Sequence, residues 1–281
     1  MQYVVDGLLI GCVYGLAAMG MTLIWGVMDV INMAHGVLIA LGSFGMYLLF
    51  TSLGINPYLG VVLAGAGGLL LGIGIYRVAI RRVLDASHLS TLLATFAINM
   101  ILVGLGTAAF STNPRAVDVN LGSLTIGSVT VQTTRLVAAL ASILIAGALY
   151  LFLNQTTPGK FIRAITNNRD AAELVGIHSQ RMLALSFGLG CMLATLAGGL
   201  IATFFPFSIL SGDTYQVKSF IIVVLGGLGN PLGALVGGLI LGLLEGIVPA
   251  FLPTSWVPVI EFVLFILILI VKPTGLFGGK E

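Results

Sequence analysis

The sequence predicts an all-α polytopic membrane protein with about eight to nine transmembrane segments, some of them interrupted, and three observations carry that prediction. Of its 281 residues, 58% are hydrophobic and only 8% charged. Ordinary soluble domains draw about a quarter of their residues from the charged types, so this chain could not cover a water-soluble globule with polar groups. The mean hydropathy is +1.12. The apolar residues also fall into runs long enough to cross a hydrocarbon core of about 30 Å, which takes about 20 helical residues. The prediction is a single membrane domain over residues 1–281, with an external loop at 111–134, a cytoplasmic loop at 154–182 and no length left for a soluble domain.

The first span is predicted from Val4 to Val27 and carries Gly7, Gly11, Gly15 and Gly20, a ridge of small residues that lets a neighbouring backbone approach. The N-terminal MQYVVDGLLIG lacks a basic region of the kind that precedes a cleavable signal, so this run is expected to remain as a membrane helix. Asp29–Gly36, DVINMAHG, then sets an acid, an amide and an imidazole between two apolar runs. Polar groups at membrane depth face a cavity or the interface, which makes Asn32, His35 and Gly36 pathway candidates. Asn32 as the cap of the second helix is an equally compatible reading.

Spans at 37–53 and 58–80 follow, joined by a turn at Gly54–Pro57, and then a basic loop containing Arg77, Arg81 and Arg82. A fourth span covers 89–110. The next stretch, with Asn113, Pro114, Gly122 and Gly127, contains the alternating LTIGSVTV, which suits a short hairpin or an extended segment. The fifth and sixth spans are expected at 136–153 and 182–205. After Pro206, SFIIVVLGGLG is too short to cross alone. Asn230 and Pro231 make a strong helix start for Leu232–Ala250, so Gly226, Gly227 and Gly229 mark a broken or tightly bent helix pair. Gly233, Gly237, Gly238, Gly242 and Gly246 give that second helix a packing face. The last span is 256–271, stopped by Lys272 and Pro273.

The longest polar interruption is Thr157–Arg181, which holds Lys160, Arg163, Arg169 and Arg181. Pro158 and Gly159 break what precedes, and Phe161, Ile162 and Ile165 follow at helical spacing. Asp170 and Glu173 have the spacing of a capping box for a second short helix that Gly176 would end. A short amphipathic helix hung between two spans suits docking onto a soluble partner; a solvated basic loop is the plainer reading. Nine of the twelve Lys and Arg residues (77, 81, 82, 160, 163, 169, 181, 272 and 280) fall in the loops after Tyr76, Leu153 and Val271. The positive-inside rule makes that side cytoplasmic, with the C-terminus there and the N-terminus outside. Arg115, Arg135 and Lys218 then lie outside.

The chemistry that would make an enzyme is missing from the sequence. The net charge of +2 is too small to argue for nucleic acid. Neither Lys160 nor Lys280 sits in a phosphate-binding loop, and His35, His88 and His178 are scattered. Cys12 and Cys191 lie in apolar runs and read as packing residues. Asp29, Glu245 and Glu261 are the intramembrane or interfacial acids; anchoring near Pro249–Trp256 is the plain reading of Glu245 and Glu261. The break at DVINMAHG resembles the one at GGLGNPLG, and paired interrupted helices in two halves of a transporter point to a midplane path lined by Gly226, Gly227, Gly229 and Asn230 as well. A passive water or urea channel with paired half-helices is the alternative. INMAHG lacks the Asn-Pro-Ala such a channel would carry, and a channel has no use for a docking loop. An ion-coupled transporter would need acids deep in the middle spans, which have none.

Several runs resemble one known family: G-x-x-Y-G-L-A-A-x-G at Gly11–Gly20, INMAHG, RAITNNRDAAELVGI, VLGGLGNPLGALVGGLILGLLE and KPTGLFG. Together they cover nearly the whole chain and look like a permease subunit of the bacterial branched-chain amino-acid ABC importers, the LivH-like family. Urea and short-amide permeases are close relatives. The resemblance implies an importer-permease fold in the cell inner membrane and a central loop seated in a cleft of a cytoplasmic ATPase, with Arg163, Ala164, Asn167, Ala171, Gly176 and Ile177 at the matching positions. It implies a sister permease, two ATPase subunits and a periplasmic or lipid-anchored solute-binding protein. ATP and Mg would be bound by the partners, with no cofactor on this chain.

Overall fold

A computed structural model describes residues 1–119, 121–126 and 129–278. Gly127 and Lys280 lie outside the described residues. Among those described, eight helical stretches are long and apolar enough to cross a membrane. They comprise α1 (Gln2–Met28), α2 (His35–Leu53), α3 (Pro57–Ile75) with its continuation, α5 (His88–Phe110), α6 (Thr133–Gln155), α9 (Ser179–Ile201), α11 (Pro231–Ile247) and α12 (Val257–Val271). The third stretch runs past its predicted end: a π turn at Tyr76–Ile80 leads into α4 (Arg81–Val83). Tyr76 is buried there and its hydroxyl donates to Gln180 Oε1 at 3.0 Å. Two short helices, α7 (Thr157–Asn167) and α8 (Arg169–Leu174), replace the central loop, and α10 (Ser211–Gly226) precedes α11.

α1 and α9 form the centre, and small residues decide how closely their neighbours approach. α1 and α11 run antiparallel: a Cβ on Gly11 would lie 2.7 Å from Gly238 O, and one on Gly7 would meet Gly242 O. The two glycine ridges predicted separately are therefore partners. α9 is packed the same way by α1 through Gly20 against Gly190, by α3 through Gly72 against Cys191, and by α2, where Ser43 Oγ donates to Gly198 O at 2.8 Å. Cys12 and Cys191 are both buried, free thiols, as a packing role requires. Lipid tails are as apolar as these side chains, so close backbone approach is what holds such helices together.

The predicted hairpin is present. β1 (Ser123–Ile126) pairs antiparallel with β2 (Val129–Gln132), with Leu124 opposite Val131. The side-chain amide of Gln2 exchanges hydrogen bonds with the backbone of Thr130 at 2.7 and 2.9 Å, which fixes the start of α1 to the hairpin end of the bundle. At the same end Arg115 and Phe207 form a two-way backbone bridge, and the Arg115 guanidinium donates to the Tyr47 hydroxyl at 3.0 Å.

The segment after Pro206 departs from the sequence reading in where its helix starts, and it adds an ion-pair cluster. α10 starts at Ser211, ahead of the apolar run, and folds against α11 with Gly226 on Gly233 and Ile222 O beside Gly237. At 16 residues α10 is about 24 Å long. Lys218, which the charge count put on the outer side, is enclosed by side chains: it pairs with Glu245 of α11, lies 3.8 Å from Glu261 of α12, and its ammonium sits 4.8 Å from the centre of the Tyr14 ring. Glu245 and Glu261 are thus partners of a largely enclosed cation linking α10, α11 and α12, a pairing the sequence reading did not supply. A charge in a helix bundle is retained where an opposite charge meets it.

Candidate functional site

α7 is built as the amphipathic surface helix that its spacing predicts. Thr156 Oγ1 accepts from Gly159 N at 3.2 Å, and Pro158 lies in the first turn, where its missing N–H costs nothing. Gly159, Ile162 and Ile165 are buried. A Cβ on Gly159 would overlap the Phe152 carbonyl and the Leu153 backbone, so glycine is what lets α7 lie against the end of α6. Lys160, Arg163 and Asn167 face outward, and Arg163 Nη1 donates to Asn154 Oδ1 at 2.8 Å.

α8 follows with a different cap from the expected one. Asn168 Oδ1 accepts from Ala171 N at 2.9 Å, whereas Asp170 lies inside the first turn. Asn168 serves as cap because its extended backbone, φ −160°, both closes α7 and opens α8. Asp170 is left to favour the helix N-terminus by its charge. Gly176 ends the helix with φ +89°, as predicted. Arg169 donates to Asp85 at 2.9 Å and to Glu173 at 3.4 Å, tying α8 to the loop after α4. Partial burial alone would lower the Arg169 pKa, but Asp85 and Glu173 outweigh it and raise it, so the tie keeps its charge.

The residues assigned to coupling divide by exposure. Arg163, Asn167, Ala171 and Gly176 are on the surface; Ala164 and Ile177 are partly buried and pack on the core, where they anchor the pair. Leu174 and Val175, 89% and 77% exposed, form an apolar tip that the sequence reading passed over. Their signal was present as two apolar residues immediately before the helix-ending glycine in an otherwise polar stretch.

The two sets of pathway candidates occupy different places. In the first, Asn32 and His35 are buried. His35 Nε2 pairs with Ala17 O at 2.9 Å, halfway along α1, so the chain between α1 and α2 turns back into the bundle from Asp29, which takes φ +52°. Asn32 does not cap α2: the cap position is Ala34, whose N–H donates to Asn32 Oδ1 at 3.1 Å. Gln216 of α10 closes the break by accepting from Gly36 N at 2.6 Å and donating to Asn32 O at 3.3 Å. Nothing in the sequence linked Gln216 to a residue so distant. Among the described residues, Asn32 Nδ2 and His35 Nδ1 have no hydrogen-bond partner.

The second set forms the joint between α10 and α11. Gly227 and Gly229 take φ +99° and +78°, Gly226 lies against Gly233, and Asn230 Oδ1 accepts from Gly233 N at 3.1 Å as the cap of α11. This joint meets α1 at Gly26, away from the His35 contact. It faces α7 across a crevice. A crevice of about 230 Å³ is lined by Gly229 and Asn230 on one side and Arg163 and Thr166 on the other, over an apolar floor that includes Met19, Leu23 and Leu153. α7 and the glycine joint thus line opposite sides of one crevice inside the bundle.

A family model described as branched-chain amino acid transport system / permease component matches residues 3–270. The chain is 32% identical, over its full length and 96% of theirs, to the high-affinity branched-chain amino acid transport system permease proteins LivH of Salmonella typhimurium and of Escherichia coli K12. It is 28% identical, with the same coverage, to the permease protein BraD of Pseudomonas aeruginosa. Among solved structures, a chain of PsaBC from Streptococcus pneumoniae in complex with Fab matches 99% of this chain and 94% of its own length, with a TM-score of 0.51 and 12% identity, a likeness of fold.

Proposed function

We infer how this chain works from the premise that it belongs to the family of branched-chain amino acid transport system permease components and is a multi-pass membrane permease subunit of an importer. The solute proposed is a branched-chain amino acid, as the names of its relatives suggest. The α7–α8 pair is the proposed seat for a cytoplasmic ATPase, with Leu174 and Val175 entering an apolar cleft and Arg163, Asn167, Ala171 and Gly176 surrounding them. The observation that carries this is the pair itself: its tip is bare, while its opposite face is pinned by Gly159, Ile162, Ile165 and Arg169.

In the proposed cycle, ATP closes two ATPase subunits, each seated on one permease. α7 moves with its ATPase, the crevice between Arg163 and Asn230 changes shape, and the α10–α11 joint follows, switching which side the path opens to. The end of the bundle carrying α7, α8 and Asp85 is taken as cytoplasmic on the charge count, which puts the Gln2 hairpin end outside, facing a solute-binding protein. A sister permease completes the path. The amides and imidazole at Asn32, His35 and Asn230 carry no fixed charge, which suits a neutral or zwitterionic solute. Substrate choice is left mainly to the binding protein.

The test is uptake into vesicles holding the purified complex. Leucine, isoleucine or valine should accumulate only with internal ATP and external binding protein together. Uptake that ignores ATP would remove the importer mechanism, and ATP-driven uptake of urea or amides in place of these amino acids would replace the substrate.

A further inference from the structure

The KPTGLFG run at Lys272–Gly278 has no part in the cycle above, yet it is bound to the joint that the cycle moves. α12 stops at Val271, Gly275 takes φ +78°, and the chain folds back across the end of α10. Leu276 N donates to Leu225 O at 2.8 Å and Phe277 N to Gly226 O at 3.3 Å. Asn230 Nδ2 donates to Phe277 O at 3.2 Å. An α-helix leaves its last carbonyls without partners inside the helix. Here two of those at the end of α10 receive donors from the far end of the chain. The backbones touch, since a Cβ on Gly275 would lie 2.5 Å from Gly227 Cα.

We propose that Pro273–Gly278 is a strap that sets the angle of the α10–α11 joint, with the Leu276 and Phe277 N–H groups and the Phe277 carbonyl as positioning groups. The proposal rests on reading that joint as a moving part of the path. Asn230 is held from two sides: its Oδ1 caps α11 through Gly233, and its Nδ2 is fixed by the strap. α7 lines the same crevice from the side opposite Asn230. When α7 moves, the strap keeps α10 from simply yielding, so the displacement turns α11 relative to α10. Without the strap, ATP hydrolysis continues and the joint no longer follows.

The experiment uses the complete importer in vesicles and reads solute taken up per ATP hydrolysed, together with recovery of the assembled complex. Leu276→Pro removes one donor, and Leu276→Ala keeps it, because the side chain is exposed and only the backbone is used. Asn230→Asp keeps the cap and loses the donor to Phe277. Leu276→Pro and Asn230→Asp should each lower the uptake per ATP at least threefold in an assembled complex, with no further loss when combined, while Leu276→Ala keeps the normal ratio. Should Leu276→Pro prevent assembly, Asn230→Ser, which keeps a capping oxygen, loses the amide donor and adds no charge to the path, decides together with Asn230→Asp. Normal ratios for Leu276→Pro and Asn230→Asp overturn the strap. If Asn230→Ala then abolishes uptake, the path reading survives without it, and if Asn230→Ala is also normal, both fall.

Discussion

Lys218 faces Glu245 and Glu261 from a helix of its own, and Glu261 is only 3% exposed. Replacing Lys218 by Met would leave two carboxylates facing each other with no cation between them. Removing one partner of a fully buried pair costs about 3–5 kcal/mol; the Glu245 side chain keeps 21% exposure, which puts the cost here at the low end of that range. Lys218→Met should therefore lower the thermal midpoint of the purified chain markedly, and adding Glu245→Gln and Glu261→Gln should restore much of it. An unchanged midpoint in the single variant would show that the three side chains carry no net charge that needs pairing. Asn230 gives a smaller effect of another kind. Losing an N-cap side chain costs about 1 kcal/mol, so a purely structural Asn230→Ala defect is a small loss of stability at full transport.

At the scale of elements, α1 and α11 meet through backbone on backbone, and a side chain has no room to enter. Gly238→Leu should destabilise by at least the ~1–3 kcal/mol typical of overpacking, since even its Cβ would lie against the Gly15 backbone. Denaturant unfolding of the variant measures this, and full stability would mean that α11 swings away easily. The α7–α8 pair is expected to fail differently. A side chain on Gly176 meets open space, but φ +89° is closed to proline, so Gly176→Pro distorts the end of α8 and leaves the spans intact. Gly176→Pro and Ala164→Glu should leave insertion normal and cut ATP-driven uptake at least tenfold; Leu174→Asp should weaken ATPase binding in the same way. Normal uptake in all three would remove the docking role of the pair.

For the molecule as a whole, the orientation can be checked directly. Cys12 and Cys191 are buried and do not compete for a membrane-impermeant thiol reagent. A single cysteine replacing Val175 should be labelled only from the cytoplasmic side, and one replacing Thr125 only from outside; the reverse pattern would invert the topology. The sequence by itself determined the class, the spans, the basic end and the helix pair in the central loop, because span length, charge and turn chemistry are local properties that need no partner to be read. It also supplied the glycines of α1 and α11 and the Asn230 cap, each a short-range pattern. Only the tertiary structure decided that those two glycine ridges are partners, that Lys218 meets Glu245 and Glu261, that Gln216 closes the break at Asn32, and that the C-terminal run straps the α10–α11 joint. Each of these joins residues far apart in the chain, and in an apolar sequence periodicity says which face of a helix packs without saying against what. Leu174 and Val175 show the same limit from the other side: apolar residues read as core until the fold leaves them uncovered.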